Sequence, residues 1–388
     1  MKQFSSQLII TNSESPLKNA VITTSDHGTI ISVNNTPDKK YPVEFHNGII
    51  IPGFVNCHCH LEISHLRGTI KGGKGLAYFI KELRNKRDIR KEEIITGIEA
   101  ADGEMCDEGI VLCADICNTD VTFSMKKESQ ICYYNLLEVF GIDPEKLHKR
   151  IAGILEVEAE AIRQGIEYSL TPHSAYSVSL SLFGYLKEKT KTNKVTSIHF
   201  LESEEEKQFL YGHAGPLRDS YEKSGIMPES PETPADHTSA VLNEITGSGN
   251  LILVHNTFTD RDTIREVKKR KNIFWCLCPG SNMYISNKLP PADILVSEGC
   301  NIVIGTDSLA SNNKLSILSE LKILQEHFPS ISLEELIRWA TINGAAALGK
   351  DRNYGSIEPG KKPGLLLLEN IDLTNMKLLP ASSVKRLL

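Results

Sequence analysis

Eight short apolar runs alternate with helical patterns through most of this chain of 388 residues, and that alternation constrains the fold more than any other feature. The runs read GFVNCHCH, GIVLCADI, CYYNLLEVF, IEYSLTPH, VTSIHF, NLILVHN, IFWCLCP and NIVIGTD. Between them lie segments with helical periodicity, among them Gly75 to Ile89, Glu92 to Glu108, Pro144 to Arg163 and Leu180 to Thr190. Strands that are apolar throughout, with no polar face, are buried on both sides, as parallel strands covered by helices are. Eight such units predict an α/β fold of the (β/α)8 TIM-type barrel class over residues 53–350.

The flanks read differently. Residues 1–52 are short strands broken by turns, one at His27-Gly28 and another at Asn47-Gly48. Residues 351–388 are again strand-like, and the two ends of the chain are expected to combine into a small sheet beside the barrel. A Pro-rich connection, MPESPETPADHTSA, precedes the sixth run and reads as a spacer or part of a lid.

In a barrel of this kind functional side chains gather where the strands end. His58 and His60 end the first run, His173 follows the fourth, His199 ends the fifth, His255 the sixth and Asp307 the eighth. Residues two apart on a strand share a face, so His58 and His60 point one way, with Cys57 and Cys59 behind them as small apolar groups. Three imidazoles and one carboxylate suit a divalent ion and leave a position for water, whose pKa such an ion lowers to about 7. The expected ligands are His58, His60, His199 and Asp307, holding a divalent ion such as Zn²⁺. Glu202, three residues beyond His199, is the expected proton carrier. His255 is the expected partner of the reacting water. The neighbouring Glu204, Glu205 and Glu206 read as a solvated helix start.

The segments PGFVNCHCHLEISHLRG, PHSAYSVS, IHFLES, VHN, CPGSN, GTDSLASNN and GSIEPGK occur in the order found in one family. With them the chain resembles the amidohydrolase superfamily, in its cytosine/adenosine-type deaminase and chlorohydrolase branch. The resemblance implies the barrel beside a small β-sandwich domain built from residues 1–52 and 351–388, one Zn²⁺ or Fe²⁺ per chain held by the same four ligands, and the same roles for Glu202 and His255. It further implies that Arg67, His173 and Ser311 face the substrate. The fourth strand end, SLTPHSAYS, lacks the bridging lysine of two-metal members, which implies a single ion. Two segments depart from the family: His255-Asn256-Thr257 stands where His-Cys is usual, and Lys362-Pro363-Gly364 interrupts the usual GKxADLV. The segment GGKGLAYFIKELRNKR resembles members acting on aminodeoxyfutalosine-like adenine nucleosides, alongside S-adenosylhomocysteine deaminases.

The expected activity is hydrolytic deamination of an amino-substituted purine nucleoside or another N-heterocycle. The alternatives are a chlorohydrolase or amidase using the same site and a metal-binding protein whose site has decayed. A net charge of -6 argues against nucleic acid as partner, and the runs Lys81 to Lys91 and Lys268 to Lys271 read as solvated helix faces. Nine cysteines without paired C-x-x-C spacing fit a reducing, cytoplasmic setting. The first residues show no secretory pattern and no run is long enough for a membrane span, so neither secretion nor a membrane is expected. A small molecule is the expected partner; the sequence does not fix the oligomeric state, although large barrels commonly pair as homodimers.

Overall fold

The computed structural model of the protein describes residues 1–212, 214–226, 242–245 and 247–388. The Pro-rich connection at 227–240 lies outside the described residues. Four strands open the chain: β1 (Lys2–Ile9), β2 (Val21–Thr24), β3 (Ile30–Asn34) and β4 (Val43–Pro52). The turn expected at His27-Gly28 is there and joins β2 to β3, with Gly28 in the left-handed region at φ 81°. The turn expected at Asn47-Gly48 is not. There β4 runs straight on, and its register against β1 slips by a residue between Ser6 and Leu8. A Cβ at Gly48 would sit 2.1 Å from the carbonyl oxygen of Leu368, so the glycine permits a bulge and not a reversal.

Eight strands follow among the described residues: β5 (Phe54–Cys59), β6 (Ile110–Cys117), β7 (Cys132–Val139), β8 (Tyr168–Pro172), β9 (Val195–Phe200), β10 (Asn250–His255), β11 (Ile273–Leu277) and β12 (Ile302–Ile304). They pair in parallel as two four-stranded sheets, β5 to β8 and β9 to β12. Single bridges join the halves into a ring. Ser174 meets His199 between β8 and β9, and Cys59 meets Asp307 between β12 and β5. The ring is the barrel expected from the alternation.

Two strands close the chain, β13 (Leu365–Asp372) and β14 (Lys377–Arg386), and they pair with the opening ones in the order β14-β13-β4-β1-β2-β3. The two chain ends thus build a sheet of their own, held by antiparallel pairing of β13 with β4.

Alternation along the barrel strands sorts the core. Val55, Cys57, Leu112, Ile252, Val254 and Val303 fill the interior of the ring. Phe54, Cys59, Ile110, Cys113 and Leu137 face the helices outside. The short helix Gly344–Ala347 packs into the interior cluster, and Asn250 donates from Nδ2 to the carbonyls of Ala346 and Ala347 at 2.8 and 3.0 Å. With one end filled, the open end is the one at which the strands finish. Among the described residues no helix is long and apolar enough to cross a membrane.

Candidate active site

Strand β5 brings His58 and His60 to the mouth, and their Nε2 atoms lie 3.2 Å apart. The strict alternation expected here is broken, because the register with β6 shifts between Asn56 and Cys59. Cys59 points outward onto Met105 of α2 (Lys91–Asp107), whereas Cys57 lies inside the ring beside Cys276. Among the described residues, neither thiol belongs to a group of side chains close enough together to hold a metal ion.

Two further expected ligands come from the other half of the barrel. Nε2 of His199 is 3.4 Å from Nε2 of His60. Oδ1 of Asp307 is 3.8 Å from His58 Nε2 and 3.7 Å from His60 Nε2. The structure therefore brings together all four expected ligands. Gly305 permits the closeness, since a Cβ there would meet Cβ of His58 at 2.8 Å and the thiols of Cys276 and Cys278 at 2.9 Å.

The donor set fits a divalent ion chemically. Burial, together with the neighbouring imidazoles, pushes His58 well below the ordinary histidine range. Burial likewise lowers His60 to about 3 and His199 to about 4. All three rings are thus neutral at neutral pH, with lone pairs to offer. Burial alone would raise Asp307, but the His60 and His255 rings and hydrogen bonds from Ser281 and Ser311 outweigh it, so the carboxylate is anionic. Those bonds run from the serine hydroxyls to Oδ2 at 2.5 and 2.7 Å, leaving Oδ1 toward the imidazoles. His199 is fixed by its other nitrogen, which donates to the carbonyl of His173 at 2.8 Å. Second partners of this kind hold a ligand ring in one orientation.

Beside this cluster stand the two residues expected to handle protons. Oε1 of Glu202 lies 3.7 Å from Nε2 of His255. Asn282 Nδ2 is 3.2 Å from Nδ1 of His255, which as acceptor leaves the ring proton on Nε2. Tyr176 donates its hydroxyl to Oε2 of Glu202 at 3.2 Å. Burial raises the Glu202 pKa well above the ordinary carboxylate value, and the charges of Asp307 and Glu206 add to it. Both His255 and Asp307 adopt left-handed backbone, at φ 76° and 57°, a strained state common at functional strand ends.

A cavity opens over these groups. Its walls include His60, His173, His199, Glu202 and Asp307, with Leu76, Phe79, Ile80 and Leu83 from α1 (Leu76–Lys86) as the apolar side. His173 faces it as expected, its Nδ1 held by Ser177 Oγ at 2.7 Å.

Two expected substrate residues lie elsewhere. Arg67 is half exposed, outside the cavity wall, and pairs with Glu104 of α2, because the short helix Leu61–Leu66 ends just before it and turns its side chain outward. Ser311 is fully buried, outside the cavity wall, and donates its hydroxyl to Oδ2 of Asp307.

Three expectations about charged runs also need correction. Arg84 and Arg87, within the run Lys81 to Lys91, line the cavity. Glu206 is buried and accepts the backbone N–H of Leu201 and Glu202 at 3.3 and 2.7 Å. Glu205 accepts the N–H of Ala77 at 2.6 Å and so caps α1. Sequence reasoning also passed over Glu138, Asn118 and Tyr176, which line the cavity. For Glu138 a signal was present, an acid inside the otherwise uncharged run CYYNLLEVF.

The sequence pattern of the amidohydrolase family matches residues 49–385. Among curated proteins, an adenosine deaminase of Helicobacter pylori is 27% identical over 83% of this chain and 79% of its own length. A 5-methylthioadenosine/S-adenosylhomocysteine deaminase of Pyrococcus abyssi is 26% identical over 91% of this chain and 80% of its own length. Among solved structures, Helicobacter pylori aminofutalosine deaminase in complex with methylthio-coformycin superposes with a TM-score of 0.84 over the whole of both chains, at 23% identity. The ring of parallel strands, the four side chains converging at its open end and a family match across nearly the full sequence lead to one assignment: this chain belongs to the amidohydrolase family.

Proposed function

We propose that the protein is a metal-dependent hydrolytic deaminase of an amino-substituted purine nucleoside. One observation carries the reading: a buried acid and a buried imidazole, Glu202 and His255, face each other at 3.7 Å beside a four-ligand cluster inside one cavity. The nucleoside deaminases among the relatives support the choice of substrate class.

His58, His60, His199 and Asp307 would hold the ion, of which Zn²⁺ suits three imidazoles and a carboxylate. Such an ion, when bound, supplies Lewis-acid activation of a water molecule. The chain's own residues do the rest. His255, with its proton on Nε2, donates toward the water and orients it. Glu202 takes a proton from that water and gives one to the ring nitrogen next to the carbon under attack, then serves the departing amine, so water plus amino-purine becomes oxo-purine plus ammonia. Its raised pKa suits this exchange, because burial makes the carboxylate a stronger base toward the water than an ordinary glutamate is. Tyr176 keeps the carboxyl in place, and the apolar face of α1 keeps bulk water from the cavity's side.

The test is ammonia release by the zinc-loaded protein from adenosine, methylthioadenosine, S-adenosylhomocysteine and aminodeoxyfutalosine, followed also by loss of the adenine absorbance. Turnover of one or more is expected. No ammonia from any of the four, with chloride released from a chlorotriazine, would move the site to the chlorohydrolase reading.

A further inference from the structure

Glu138 lies at the end of β7, only 5% exposed, and one of its carboxylate oxygens has no hydrogen-bond partner among the described residues. The other oxygen is engaged, accepting from Nδ2 of Asn118 at 2.9 Å. Asn118 is itself held firmly. Glu62 accepts its backbone N–H and that of Thr119, both at 3.1 Å, and the Thr119 hydroxyl at the same distance. Arg87 in turn sits 3.7 Å from the second oxygen of Glu62. Arg87, Asn118 and Glu138 all reach the cavity wall. The loop after β6 is therefore braced so that an amide and a carboxylate stand side by side facing the cavity.

A buried carboxylate oxygen left without a donor is costly, and it persists where something else supplies the donor. A second ion is one candidate, since Glu138, His60 and His199 form a group close enough to hold one. His199 rules it out. Its Nδ1, the nitrogen 3.8 Å from Glu138, already donates to the His173 carbonyl, and its Nε2 faces the other imidazoles. No lone pair of that ring points toward Glu138. A donor from the substrate remains.

We propose that Glu138 and Asn118 form a hydroxyl-binding subsite that recognises the sugar diol of a nucleoside. The proposal rests on the deaminase reading for the class of substrate. Glu202 follows β9 and Glu138 lies on β7, two strands away around the ring. A heterocycle addressed at Glu202 thus has its substituent running toward Glu138. A sugar hydroxyl gives its proton to the free carboxylate oxygen, and the adjoining amide offers a second polar contact to the neighbouring hydroxyl. Asn118 also fixes the carboxylate's rotation, so the free oxygen is held toward the cavity before any ligand enters.

The test is calorimetric binding of adenosine and 2′,3′-dideoxyadenosine to the zinc-loaded Glu202→Gln protein, with and without Glu138→Gln. A site built for a hydroxyl discriminates strongly against an analogue that lacks it, so adenosine should bind more tightly by about tenfold or more when Glu138 is present. Glu138→Gln should bring the two ligands within roughly threefold, by weakening adenosine alone. Asn118→Ala should do the same, which keeps the test decisive if the Glu138 variant does not fold. Equal loss for both ligands, or loss of zinc in the Glu138 variant, would mean that the carboxylate acts through His199 and would overturn the subsite. Wild-type protein that binds adenosine selectively yet releases no ammonia would sink the deaminase reading and leave the subsite standing. Binding of neither ligand would remove both.

Discussion

The backbone N–H of Glu202 donates to the carboxylate of Glu206 at 2.7 Å, so one glutamate sets the direction of the other. Glu206 is buried, which raises it to about 8, and it is a positioning residue that does not reach the cavity. Glu206→Ala would orphan the N–H groups of both Leu201 and Glu202, at a cost of about 1–3 kcal/mol. Turnover should fall by roughly 10-fold or more while zinc content holds. Glu206→Gln keeps an acceptor and should recover most of the loss in kcat, measured against the alanine variant at equal zinc loading.

Glu202→Gln separates proton transfer from ion binding. The amide keeps the shape and the contact with Tyr176 but cannot carry a proton. A fall of about 10² to 10⁴ in kcat, with KM little changed, is the expected size for a general acid-base group. Near wild-type ammonia release with zinc still bound would refute the mechanism.

The serines that grip Asp307 give a third expectation. Removing both hydroxyls, by Ser281→Ala with Ser311→Ala, frees Oδ2 and lets the carboxylate rotate off the imidazole cluster. Zinc affinity, measured by competition with a chelator, should weaken by about 10- to 100-fold. Unchanged affinity would show that the strand backbone alone holds Asp307.

Thiolate ligation has a direct test. Cys57→Ser and Cys59→Ser each place a hydroxyl in a fully buried site and should cost about 1–3 kcal/mol in thermal or denaturant melts. Zinc content should survive both. Loss of zinc from a folded variant would bring sulfur into the coordination shell.

The convergence of the expected ligands, and of Glu202 with His255, was legible because parallel strands of a closed ring all finish at one mouth. A residue's place at the end of an apolar run is then enough to put His58, His60, His199, His255 and Asp307 together. The cavity walls were not legible in the same way. Arg84 and Arg87 sit among other bases, and Glu206 among other acids, so which member of a like-charged run turns inward depends on helix phase and on what packs nearby. Arg67 lies outside the cavity wall, where it follows a short helix and pairs with Glu104, a placement that its position in the sequence did not reveal. Gly48 looked like a turn because Asn-Gly is one locally, and only the approach of Leu368 from the far end of the chain makes it a bulge.

The two halves of the barrel meet at the site itself. On one side Thr306 and Asp307 donate their N–H groups to the carbonyl of His58, both at 3.0 Å, and on the other His199 donates its N–H to the carbonyl of His173 at 2.9 Å. Three of the four residues that would grip the ion, His58, His199 and Asp307, are therefore also stitches of the two seams. Their side chains would hold the ion while their backbone closes the ring. The flanking walls, built from α1 and from the loop after β6, carry no such double duty. New specificity in this scaffold has room to arise there, with the seams left untouched.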